Sequence, residues 1–266
     1  MIKTFFFLKE TISYNITGQG SPIVFLHGFL EDSSIWDNVK RHLNLSHKIL
    51  TVDLPGHGKS TCISENHTMA SMAKIVQQIC LAENMLKPIV FGHSMGGYIA
   101  LELTKIYEVD IALVHSNFWN DSTEKKIDRN RVIQIAKANL SLFVSTAIPN
   151  LFYAENSEKC KKHIEKLIEK ASEMDIKSVV CATKAMRDRK NNSAVLMVGN
   201  VAIIQGENDP VFSKSTMSIH LNTISEKPYF IEIESCGHMG FAEQPSAFLE
   251  AVKRIIIKFS ELKAFN

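Results

Sequence analysis

The sequence predicts an α/β protein built on a doubly wound, mostly parallel sheet that a run of helices interrupts. Three observations carry this expectation. Short, continuous apolar runs at 23–26, 49–52, 89–91 and 111–114 alternate with helical patterns, as expected for strands buried on both faces beneath crossover helices. Residues 120–190 then show helical periods without a convincing buried strand. Strand signals return at 201–204 and 229–233, and a helical pattern over 245–259 closes the chain.

The elements follow in order. The apolar run at 4–8 ends at Lys9 and Glu10, too short for the core of a signal peptide. Ile12, Tyr14 and Ile16 alternate with polar residues and mark a half-exposed strand, followed by a turn at Gly18, Gly20 and Pro22. Met72, Ile75, Val76 and Ile79 recur at helical spacing within 69–83, and Tyr98, Ile99, Leu101 and Leu103 do so within 95–107. In the interrupting segment, Ile164, Leu167, Ile168 and Ala171 form one stripe. Lys161, Lys162, Glu165, Lys166 and Glu169 occupy the opposite, solvated face. The expected division is a core of 1–118 and 190–266 with a helical insertion at 119–189.

At 266 residues with 45% hydrophobic content, the chain can bury a sizeable core. Its 30 Lys and Arg against 28 Asp and Glu leave a net charge of +2, unlike the basic footprint of a nucleic-acid binder. No stretch approaches the ~20 apolar residues of a membrane span. The five cysteines are scattered without CxxC spacing, so a disulfide framework or structural zinc is not expected, and a reducing cytoplasm is.

The strongest chemical signal is Gly92-His93-Ser94-Met95-Gly96-Gly97, between a strand pattern and a helix pattern. A serine in so sharp a turn needs small neighbours two positions away on each side. The turn lifts its hydroxyl above the sheet at a helix N-terminus. A serine hydroxyl also needs a base, and the base an orienting acid. Asp209 follows the 201–204 strand and His238 follows the 229–233 strand, so both fall on the same C-terminal sheet edge as Ser94. Taken singly, Asp209 could be a loop cap before Pro210 and His238 a surface turn residue. Together, in the order Ser, Asp, His, they point to a catalytic triad. The oxyanion donors expected are the backbone N–H groups of Met95 and Phe29, with Gly28 allowing close approach.

These segments, with His27-Gly28-Phe29 and Asp53-Leu54-Pro55-Gly56-His57-Gly58, resemble the α/β-hydrolase superfamily in family order from about residue 20 to 250. The resemblance implies an eight-stranded, mostly parallel sheet with a helical cap inserted after the sixth strand. It also implies Ser94 as nucleophile, His238 as general base and Asp209 as the acid. It is closest to small esterases, lactonases and the related menaquinone-pathway synthase, and no motif separates those branches. The reaction expected is acyl transfer from a carboxylic ester, lactone or thioester, with neither metal nor organic cofactor. A C–C hydrolase or lyase with the same triad, or a ligand-binding receptor on this scaffold, remains open.

Asp121 is an alternative acid. His27, His57 and His93 are read as structural residues of their loops. Gly58-Lys59-Ser60 lacks the glycine that a phosphate-binding loop requires where Asp53 stands. Candidate pocket residues for a small or medium, mainly apolar acyl group are His115, Phe118, Trp119, Phe143, Phe152, Tyr153, Met186 and Met239, with Phe29 beside them. The partner expected is a small-molecule substrate.

Overall fold

A computed structural model describes residues 2–63, 67–197 and 199–264. The chain begins with β1 (Ile2–Phe7), β2 (Glu10–Thr17) and β3 (Ser21–Leu26), followed by α1 (Asp37–Leu43), β4 (His47–Val52) and α2 (Met69–Ala82). Next come β5 (Ile89–His93), α3 (Met95–Leu103) and β6 (Asp110–Val114). Among the described residues, four α-helices separate β6 from the next strand: α4 (Thr123–Ala138), α5 (Leu140–Ala147), α6 (Lys161–Ser172) and α7 (Ile176–Arg187). The chain closes with β7 (Val201–Gly206), α8 (Lys214–Leu221), β8 (Tyr229–Ile233), α9 (Gly240–Glu243) and α10 (Pro245–Ala264).

The eight strands form one sheet in the order β1-β2-β4-β3-β5-β6-β7-β8. Pairings from β4 through β8 are parallel, and β2 joins β1 and β4 antiparallel. Successive side chains on a strand face opposite sides, and both sides here are covered. Val24, Leu26, Leu50, Val52 and Val90 pack with α2 and α3. Ile23, Phe25, Ile49, Phe91 and Val114 pack with α1 and α10. Double burial is why these strands read as unbroken apolar runs.

Two sequence expectations are refined. The 4–8 run belongs to β1, an added edge strand that pairs Ile2 with Asn15 through Phe7 with Glu10. Helix α3 stops at Leu103, short of the apolar pattern's end at Tyr107. There Lys105 and Ile106 donate to carbonyls three residues back, tightening the final turn, and the Tyr107 hydroxyl reaches the Met85 carbonyl. The α6 stripe faces inward as its spacing indicates, with Ile164, Leu167 and Ala171 buried.

Trp36 is fully buried between Phe25, at 4.8 Å between ring centres, and Phe248, at 6.1 Å. Trp36→Ala is expected to cost about 3–5 kcal/mol through the cavity it leaves, measured by urea unfolding. Loss of less than ~1 kcal/mol would contradict the burial argument.

Candidate active site

The parallel register brings the working loops level. Gly92 lies opposite Leu26, and His93 opposite Val114. Hydrogen bonds continue the ladder past the strands: Ser94 N–H to the Val114 carbonyl at 2.9 Å, His115 N–H to Ile204 at 2.8 Å, and Glu207 N–H to Ile233 at 2.9 Å. Ser94 sits at φ 47° and ψ −111°, a strained backbone for a residue with a side chain. The turn closes on glycine because a Cβ at Gly92 would lie 2.4 Å from the Gly96 carbonyl oxygen. One at Gly96 would lie 2.5 Å from that of Leu26. The Ser116 hydroxyl donates to the Ser94 carbonyl at 2.7 Å and braces the elbow from β6. Met95 occupies the first helical position of α3, where an N–H has no intrahelical acceptor. The Phe29 N–H likewise donates to no acceptor among the described residues.

Asp209 and His238 meet at the same edge, with His238 Nδ1 2.9 Å from Asp209 Oδ2. The other carboxylate oxygen accepts N–H groups from Val211 at 2.8 Å and Phe212 at 3.0 Å. Burial works to raise the Asp209 pKa, but the charge of His238, with the contacts of His115 and His238, outweighs it and holds the carboxyl far below the usual range. Asp121, the alternative acid, is instead held by Arg189 at 2.6 Å and Arg129 at 3.1 Å.

The chain matches the profile of the alpha/beta hydrolase fold family over residues 21–117. It is 24% identical to 3-oxoadipate enol-lactonase 1 of Acinetobacter baylyi, over 91% of each chain. It is 37% identical to the pimeloyl-[acyl-carrier protein] methyl ester esterase of Wigglesworthia glossinidia brevipalpis, over 35% of each. Among solved structures, a thermophilic esterase from Thermogutta terrifontis superposes with a TM-score of 0.87 at 25% identity, covering 97% of each chain. The chain has the α/β-hydrolase fold. It is an α/β-fold hydrolase, and among its described residues no helix is long and apolar enough to cross a membrane.

Around this hydrolase site the pocket candidates scatter. His115 lies beneath the Asp–His pair, with its Nδ1 3.5 Å from Asp209 and accepting the Gly206 N–H at 3.2 Å. Burial holds its pKa below the ordinary histidine value. Among the described residues, His115, Asp209 and His238 form the one cluster with metal-ligand side chains, their ligand atoms within 4.8 Å. Within it, His238 Nδ1 and Asp209 Oδ2 are bonded to each other, and His115 Nδ1 accepts the Gly206 N–H. Trp119 stacks on His220 at 3.8 Å and meets Phe212 edge-on at 6.3 Å, and Phe212 lies 5.6 Å from the His238 ring. Trp119 thus connects to His238 through Phe212, a residue the sequence did not single out. Phe118 and Met186 are buried in the cluster on the α2–α3 side of the sheet. Phe152 and Met239 are buried in the opposite cluster, with Phe143 partly buried against it.

Tyr153 reaches the His238 loop through Glu243, another residue without a sequence signal of its own. Its fully buried carboxylate accepts N–H groups from Gly237, Met239 and Tyr153 and from the Asn156 amide, all at 2.9–3.0 Å. The His238 N–H itself donates to the Leu151 carbonyl at 2.9 Å. A cleft of about 590 Å3, lined by Ser13, Asp32, Asp53, Lys59 and Lys170, opens elsewhere and includes none of Ser94, Asp209 and His238.

His27 and His57 brace the loops after β3 and β4. His27 Nε2 accepts the Leu54 N–H at 2.9 Å, and His57 Nδ1 lies 3.2 Å from the Pro55 carbonyl. Burial, followed by the charge of His27, lowers the His57 pKa to about 3.

Two outcomes follow from these contacts. Glu243→Gln places an amide N–H against a backbone donor and is expected to cost about 1–3 kcal/mol in urea unfolding; wild-type stability would refute the role of its carboxylate. Because the folded-state pKa of His57 is depressed, the unfolded chain binds the proton first. Stability is therefore lost as pH falls from about 6.5 toward about 3. Thermal melts of His57→Gln across that window should show a shallower loss than wild type.

Proposed function

We propose that this protein is a serine hydrolase that cleaves a carboxylic ester, lactone or thioester through an acyl-enzyme on Ser94. One observation carries the reading: a serine on a strained elbow shares its sheet edge with a buried His238–Asp209 pair at 2.9 Å. Asp209 stays ionised and holds the Nδ1 proton of His238, which leaves Nε2 as the base. His238 takes the Ser94 proton as the hydroxyl attacks the carbonyl carbon. The Met95 and Phe29 N–H groups receive the oxyanion, and His238 protonates the leaving group. Water repeats the attack and releases the acid.

The relatives support ester chemistry: their names describe an enol-lactonase and a methyl ester esterase. The segment 119–189 is the cap in this reading. Trp119, which meets Phe212 beside the His238 ring, supports a small or medium, mainly apolar acyl group. A second reading, a lyase with the same triad, draws on 36% identity over 83 residues to a 2-succinyl-6-hydroxy-2,4-cyclohexadiene-1-carboxylate synthase of Salmonella agona.

A p-nitrophenyl ester series from acetyl to dodecanoyl tests the proposal. Wild type is expected to turn over the short and middle members, Ser94→Ala none, and Asp209→Asn with kcat lower by roughly 10⁴-fold. Full activity in Ser94→Ala would falsify the nucleophile. Folded wild type inert on every ester would transfer the reading to the lyase.

A further inference from the structure

Beneath the elbow lies a second acid–histidine pair that the acyl-transfer steps do not use. His93 Nδ1 is 2.9 Å from Glu31 Oε2, and the two side chains are only 1% and 4% exposed. The same oxygen accepts the Gly28 N–H at 2.5 Å, and His93 Nε2 lies 3.0 Å from the His238 carbonyl oxygen. A backbone carbonyl only accepts, so Nε2 carries a proton. Glu31 Oε2 faces Nδ1 and also accepts the Gly28 N–H, an arrangement that suits an ionised carboxylate between two donors, with the second ring proton on Nδ1. In that state His93 is an imidazolium facing a carboxylate. The pair presses so closely on the oxyanion loop that a Cβ at Gly28 would lie 2.8 Å from both Glu31 Oε2 and His93 Nδ1.

We propose that Glu31 and His93 form a charged positioning pair that ties the oxyanion loop at Gly28 and Phe29 to the backbone of His238 across the nucleophile elbow. The inference rests on the acyl-transfer reading of Ser94 and His238. One carboxylate oxygen serves two donors, so an amide cannot replace it: its oxygen would face an uncompensated imidazolium or a bare Nδ1 lone pair, and its NH2 would meet the Gly28 N–H.

The pair defines a pH window. Burial works against the charged ring, but the Glu31 charge and hydrogen bond hold the His93 pKa above the ordinary histidine value. Burial likewise works to raise Glu31, and the charge of His93 turns it below the ordinary carboxylate value. The other titratable groups facing the pair are His27, His115, Asp209 and His238. The charged state is lost on the alkaline side as pH rises through the raised His93 value, and on the acid side as pH falls through the lowered Glu31 value.

The test compares wild type, Glu31→Gln, His93→Gln and Ser94→Ala on one p-nitrophenyl ester, with folding checked by circular dichroism. Ring-nitrogen NMR of 15N-histidine-labelled wild type accompanies it, with His93→Gln supplying the assignment. The expected result is a doubly protonated His93 ring at neutral pH. In Glu31→Gln, kcat per folded molecule falls by roughly 10²-fold at unchanged KM, and the alkaline limb of kcat moves to lower pH. Simple destabilisation would not move that limb. A neutral His93 in wild type overturns the pairing even if Glu31→Gln fails to fold. A folded Glu31→Gln with wild-type kcat and pH profile overturns it too, and strict dependence on Ser94 then leaves the acyl-transfer reading standing. Turnover surviving in Ser94→Ala sinks that reading and the inference with it.

Discussion

The hydrogen bonds that carry the parallel ladder beyond the ends of its strands are the constraint on which the site depends. Ser94, His115 and Glu207 each donate into the neighbouring strand's last turn, so the loops after β5, β6 and β7 inherit the spacing of the sheet. Loops usually lie at the loose end of a protein's stability spectrum. Here their first residues are held as firmly as strand residues. The strained backbone of Ser94 persists because Gly92, Gly96 and the Ser116 hydroxyl close around it.

Buried carboxylates extend that rigidity. Asp53 accepts N–H groups from Ser33 and Lys59, and Glu31 that of Gly28. Asp209 accepts those of Val211 and Phe212, and Glu243 those of Gly237 and Met239. Each acid satisfies backbone donors that a tight loop would otherwise bury without a partner. A charged acceptor makes a stronger hydrogen bond than a neutral one. Four acids, one per loop, thereby convert irregular backbone into fixed geometry.

The insertion is bound into the same scheme. Leu151, Tyr153 and Asn156 bond directly to the His238 loop or to the carboxylate that holds it. Its inner residues Val144, Ile164 and Leu167 share one apolar cluster with the sheet. Movement of the segment after α5 would therefore be felt at His238.

Most of the architecture was legible in the sequence because apolar runs, helical periods and glycine-rich turns are local signals. Doubly buried strands must be apolar throughout, and an elbow serine must have glycines two residues to either side. The order Ser94, Asp209, His238 was legible for the same reason, since each follows a strand signal. Partners that meet only in space were not. Glu31 is 62 residues from His93, Glu243 holds Tyr153 from 90 residues away, and Phe212 carries no mark distinguishing it from a core phenylalanine. The pocket candidates show the same limit, since an apolar residue in an insertion has one pattern whether it packs against a helix or a substrate. Sequence by itself determined the fold class and the placement of Ser94, Asp209 and His238 after strands of one sheet, because hydrophobic period and turn chemistry are written locally. Tertiary structure alone decided which buried acid holds which loop, because a hydrogen bond between distant residues depends on where the folded sheet brings them.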